Sequence, residues 1–117
     1  MIEEGKYIYA IIKENIDRKL GSIGINNREV QVINFMDLGA VVSNSPVISF
    51  DRLEKKELMW FVAVHQKVNE ILMKDYDVVP MAFGTIAPNT NELMNILEKG
   101  YLQFKLGLEK IKGRAEF

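Results

Sequence analysis

His65 is the only histidine of this 117-residue chain, and cysteine is absent altogether. Thiolate nucleophiles, thiolate metal sites and disulfides are therefore excluded, and any imidazole chemistry is built around a single ring. A general base of that kind needs a hydroxyl or carboxylate within hydrogen-bonding reach. No residue near His65 in sequence nominates one. A zinc-hydrolase helix of the HExxH type is excluded as well, because Phe61 and Asn69 occupy the positions four residues either side of His65. Lying between Phe61 and Val68 on an apolar stripe, His65 is read as a core or interface histidine satisfied by a backbone carbonyl or a hydroxyl.

The carboxylates offer no more. Asp75 and Asp77 flank Tyr76 and read as solvated loop residues. Asp51 with Glu54, and Asn89 with Glu92, have the spacing of helix caps. Gly21-Ser22-Ile23-Gly24 lacks the Lys-Ser/Thr of a phosphate loop and reads as a turn. No catalytic residue, metal ligand or cofactor site is assigned, and the chain is read as a binding protein rather than an enzyme.

Binding has better candidates. Trp60 falls at one margin of the same apolar stripe, where it either packs at the rim of the core or anchors a partner. The run Asp77 to Asn89 begins as a short apolar strand over Val78 to Phe83 and threads the middle of the domain. Pro80 belongs at a strand start, a bulge or an edge, and Gly84 permits a bend. Pro80, Met81, Phe83, Gly84 and Thr85, with Trp60, His65 and Phe117, form the candidate partner-binding set. A half-exposed strand near Pro80 or Phe117 would offer backbone groups to another chain. Met59, Met73, Met81 and Met94 read as fillers of gaps in the core.

These residues need a scaffold. Lys6 to Ile12 reads as a central strand with Tyr7, Tyr9 and Ile11 on one face and Ile8, Ala10 and Ile12 on the other. Lys13 to Asn27 reads as an irregular connection ending in a turn at Asn26-Asn27. Glu29 to Phe35 and Leu38 to Ser43 make an antiparallel hairpin. Asp51 to about Asp75 is the strongest helix, with Leu58, Phe61, Val62, His65, Val68 and Leu72 at helical spacing. A second helix opens at Asn89 and stops or kinks at Gly100. A third runs from Tyr101 to Lys112 with an interruption at Gly107, and Arg114 to Phe117 begins a further strand.

The expected class is α+β: a mostly antiparallel sheet of four to five strands, with one long and two shorter helices packed against it. One domain fits the length. A net charge of −1, from 15 basic and 16 acidic residues, gives no drive onto nucleic acid or an anionic lipid membrane. The apolar runs are shorter than the ~20 residues of a membrane helix, no secretory signal pattern opens the chain, and a cytoplasmic protein is expected.

The pattern apolar-apolar-Pro-apolar-x-Phe-Gly-Thr at Val78 to Thr85 lies between a helix carrying His65 and a helix opening at Asn89-Thr90-Asn91-Glu92. It resembles the gas vesicle protein F/L family (GvpF/GvpL), and GvpF most. Tyr7-Ile8-Tyr9-Ala10-Ile11 resembles the family's first strand, Ala40-Val41-Val42-Ser43 its "AVVS" strand, and Gly113-Arg114-Ala115-Glu116-Phe117 the segment after its helices. The resemblance spans nearly the whole chain, and implies an N-terminal domain whose second domain is absent. It further implies an accessory protein, associated with gas vesicles, that assists their assembly or forms a minor structural component by contacting the small hydrophobic shell protein and other accessory proteins. His65 carries over as a structural position. Ala82 stands where many members have a basic residue, so no role of that residue carries over. The rival expectation is a small-molecule-binding regulatory domain with a pocket at His65 and Thr85.

Overall fold

The computed structural model describes residues 4–47 and 50–111. Its first strand, β1 (Glu4–Lys13), is the most buried element: every side chain from Tyr7 to Ile12 is essentially inaccessible. Aromatic and β-branched residues with no polar face are stable only where both sides of a sheet are covered. Around β1 are built β2 (Arg18–Gly21), β3 (Val30–Phe35), β4 (Leu38–Pro46), β5 (Val78–Pro80) and β6 (Ile86–Ala87). The six-stranded sheet runs β2-β3-β4-β1-β5, with β6 also on β1, and all pairings are antiparallel.

The hairpin of β3 and β4 forms as expected, closing Phe35 onto Leu38 through Met36 and Asp37. Met36 adopts a left-handed φ of 55°. The Asp37 carboxylate accepts from the Lys105 ammonium and the Tyr101 hydroxyl, tying the turn to the last helix. Those bonds, Lys105 foremost, hold the Asp37 carboxyl below the usual carboxylate range. Asn26 and Asn27 make the expected turn, both with positive φ.

Three expectations about the sheet need correction. Arg18–Gly21, read as part of a loop, is a strand pairing β3. The strict alternation along β1 breaks at a bulge: Ile8 pairs Val42 and Ala10 pairs Val41, leaving Tyr9 as the extra residue. A bulge places two successive side chains on one face, so Tyr7, Tyr9, Ala10 and Ile12 enter one core and Ile8 and Ile11 the other. The run after Asp77 is no central strand. It breaks into β5 and β6, which lie end to end along the outer side of β1 with Met81–Thr85 looped between them. The Met81 N–H bonds the Tyr9 carbonyl at 3.0 Å, so by antiparallel alternation Pro80 turns its donorless nitrogen away from β1, at no cost to the ladder.

Helices cover both faces. The first core lies under α1 (Lys55–Met73), the second under α2 (Thr90–Lys99) and α3 (Tyr101–Ile111). Helix α1 starts four residues later than expected, and Asp51 does not cap it. Residues Phe50–Arg52 form a 3₁₀ turn that turns Phe50 and Leu53 toward the core, and that burial outweighs the capping spacing. At 19 residues α1 is about 28 Å long. Helix α3 passes through Gly107 unbroken, because the missing Cβ leaves room for Val79. The strand expected from Arg114 to Phe117 lies outside the described residues.

Asn89 is a working cap, its side chain accepting the Glu92 N–H at 2.8 Å. Asn89→Ala is expected to cost about 1 kcal/mol. Urea denaturation checks this, and an unchanged midpoint contradicts it.

Candidate functional site

His65 lies on the face of α1 turned to the sheet, buried against Tyr7, Tyr9 and Phe83. Both ring nitrogens are engaged. The Met81 carbonyl, 2.9 Å from Nε2, can only accept, so Nε2 carries the proton. Nδ1 is then bare and accepts the Tyr7 hydroxyl at 2.8 Å. The Tyr7 oxygen in turn accepts the Gly84 N–H at 3.1 Å. Burial holds the His65 pKa below its ordinary value, with the Met81 carbonyl opposing in part. Burial likewise pushes the Tyr7 hydroxyl far above the usual phenol range, against a smaller lowering by the Gly84 N–H. Neutral imidazole and neutral phenol are thus the stable pair.

This arrangement supports structure rather than catalysis. A general base needs a free lone pair facing a substrate, and the one free lone pair of His65 is occupied by Tyr7. Among the described residues no three His, Asp or Glu side chains converge as a metal site would require. No helix among them is long and apolar enough to cross a membrane.

Two further groups complete the cluster. The Asn69 amide donates to the Tyr9 carbonyl at 3.2 Å and to the His65 carbonyl at 3.1 Å. Its Oδ1 is buried with no donor among the described residues. The Tyr9 hydroxyl accepts the Ile25 N–H at 2.9 Å and bonds Ser43 Oγ at 2.8 Å. Sequence reading passed over Tyr7, Tyr9 and Asn69. A signal for the tyrosines was present, since a strand buried on both faces has to find partners for its hydroxyls.

The candidate set divides in space. His65, Phe83 and Gly84 come together over β1, where Phe83 packs on Phe50 with ring centroids 5.1 Å apart; Met81 joins through its carbonyl alone, and Thr85 follows Gly84 in the chain. The Thr85 hydroxyl bonds the Ala82 carbonyl at 2.7 Å and does not reach His65, so the two do not converge on a shared pocket. Exposed Pro80 borders a groove of about 370 Å³ beside His65, Asn69, Glu70 and Met73. Trp60 is elsewhere, roughly 140° round α1 from His65 at 100° per residue. Phe117 lies outside the described residues.

Trp60 is 66% exposed and the adjacent Met59 62% exposed, so Trp60 is not a rim residue of the core, and Met59 fills no core gap. Met73 is exposed as well, while Met81 and Met94 pack against the second core.

The model of the family described as "Gas vesicle synthesis protein GvpL/GvpF" matches residues 5–117. No curated protein matches the chain. Among solved structures, the fold is similar to the gas vesicle protein GvpF from Anabaena sp. PCC7120, with a TM-score of 0.74 and 20% identity, over 94% of this chain and 44% of that one. GvpF from Microcystis aeruginosa is similar with a TM-score of 0.72 and 21% identity, over 93% of this chain and 44% of that one. The chain thus spans less than half the length of either solved relative.

Proposed function

From a chain that belongs to the gas vesicle synthesis protein GvpL/GvpF family, we propose a gas vesicle accessory domain that binds and does not catalyse. It holds the small hydrophobic shell protein, alongside other accessory proteins, during assembly or as a minor component of the finished vesicle. The observation that carries this reading is the exposure of Trp60 beside Met59 on α1. A large aromatic left in water beside a second apolar side chain is the composition of an interface anchor. A shell subunit with a strongly apolar face would aggregate unless such a surface covered it. The engagement of both His65 nitrogens within the fold supports the non-enzymatic half of the reading.

The test is co-purification of the chain with the shell protein, using the intact chain, Trp60→Ala and a version lacking Phe117. Trp60→Ala is expected to change stability by less than about 0.5 kcal/mol, as for other exposed positions, and to lose the shell protein. Retention by Trp60→Ala would remove Trp60 as the anchor. Loss only on deleting Phe117 would place the contact at that end of the chain. An intact chain that retains no shell protein overturns the reading for this domain.

A further inference from the structure

We propose that Met81–Thr85 is an acid-sensitive latch, held shut across β1 while His65 is neutral and released when His65 takes up a proton. The segment is built for such a role. Its two ends are fixed by β5 and β6 on the same side of β1, and between them the ladder is interrupted. Four bonds hold the interruption down. Two are strand-like, from the Met81 N–H to the Tyr9 carbonyl at 3.0 Å and from the Ile8 N–H to the Thr85 carbonyl at 2.9 Å. The other two pass through His65 and Tyr7. Gly84, at φ 88°, provides a backbone pivot that few other residues adopt.

The direction of the bonds makes the latch sensitive to one proton. Gly84 N–H donates to Tyr7, Tyr7 O–H donates to Nδ1, and Nε2–H donates to Met81. A proton from solvent has only Nδ1 to occupy. Two donors then face each other across 2.8 Å. The Tyr7 hydrogen has to turn away from His65, among the packed rings of Tyr9, Phe50 and Phe83, and the bond between the two side chains is lost. Breaking a buried bond in this way costs about what the hydrogen bonds holding a short loop contribute.

Among the described residues nothing charged bonds the ring to offset this. From β1 it meets Tyr7 and Tyr9, from the latch it meets Met81 and Phe83, and Phe50 of the Phe50–Arg52 turn packs on Tyr7 and Phe83 rather than on the ring itself. On α1 itself Glu70 lines the same groove without bonding the ring. Burial therefore sets the direction of the ring's titration, downward. Opening the latch bares Phe83, Phe50 and the Tyr7 ring, an aromatic surface covered at neutral pH.

The experiment measures backbone amide exchange along the whole chain from about pH 7.5 to about pH 5, corrected for intrinsic rates, with the NMR titration of the sole histidine. Protection at Met81 and Gly84 is expected to fall about tenfold for each pKa unit by which folding depresses His65. The fall should track the ring signal, with its midpoint below about 6.5, while β3 and β4 amides stay unchanged. His65→Gln can donate to Met81 and accept from Tyr7, and is expected to hold the latch shut at both ends of the range. Tyr7→Phe, which removes the conflicting donor but leaves the ring buried, is expected to shrink the acid-induced fall without abolishing it. The proposal is overturned by pH-independent protection in the wild type, by a ring midpoint at or above about 6.5, by a fall that persists in His65→Gln, or by a fall in Tyr7→Phe as large as that of the wild type.

Discussion

Cutting Tyr9 back to alanine is expected to remove about 3–5 kcal/mol of stability, a large share of the roughly 5–15 kcal/mol that holds an ordinary domain together. Tyr9 is fully buried, with its ring 4.8 Å from that of Tyr7. It is also the bulge residue, and its hydroxyl serves the Ile25 N–H and Ser43. Alanine would leave a void beneath α1 and strip partners from two groups already out of water. Tyr9→Phe separates these contributions: it keeps the ring and drops only the hydroxyl, for an expected cost of about 1–3 kcal/mol. Urea denaturation of the three proteins reads both values. If Tyr9→Ala costs no more than Tyr9→Phe, ring packing is not what the bulge contributes.

His65→Leu is expected to destabilise the domain by about 2–4 kcal/mol near pH 7.5, and to abolish part of its acid sensitivity. The energy comes from leaving the buried Tyr7 hydroxyl and the Met81 carbonyl without partners, which nearly isosteric packing does not repair. The pH effect follows from the direction of the shift. Because burial lowers the His65 pKa, the unfolded chain binds a proton more readily than the folded one. The contribution is therefore complete above the ordinary value near 6.5 and is lost as pH falls from there through the lower folded value. Between about pH 7.5 and 5, the wild type should lose stability more steeply than His65→Leu. Parallel curves would show that the ring does not titrate differently on folding.

Much of the architecture was legible in the sequence because burial leaves periodic traces. The apolar Tyr7–Ile12 run marked β1 as central, two β-rich runs around Met36-Asp37 marked the hairpin, and helical spacing marked α1. The failures share a cause: the pattern was silent where both alternatives bury the same residues. Along β1 each side chain is apolar, so a one-residue slip at Tyr9 leaves no mark in hydropathy. β2 is short and polar, with Arg18 and Lys19 on an outer strand, and so resembles a loop. The candidate site was half visible. His65 was read as satisfied by a carbonyl or hydroxyl and has one of each. Its partner Tyr7 lies 58 positions away, beyond any local pattern. Trp60 stood out by type, but whether it faced the core or the solvent depended on a few tens of degrees of helix rotation.

The position of β1 also imposes a timetable on synthesis. The most apolar strand leaves the ribosome ahead of every element it pairs with. Its first neighbour, β4, is complete at Pro46, and its last, β6, only at Ala87. At roughly 5–20 residues per second, one flank of β1 waits about 2–8 s longer than the other for its cover. The nascent chain can therefore assemble β3, β4 and β1 into a sheet open on one side. The stretch that finally seals this sheet is the one from Val78 to Ala87, so the part of the sheet proposed to open first in acid is also the last of its strands to arrive.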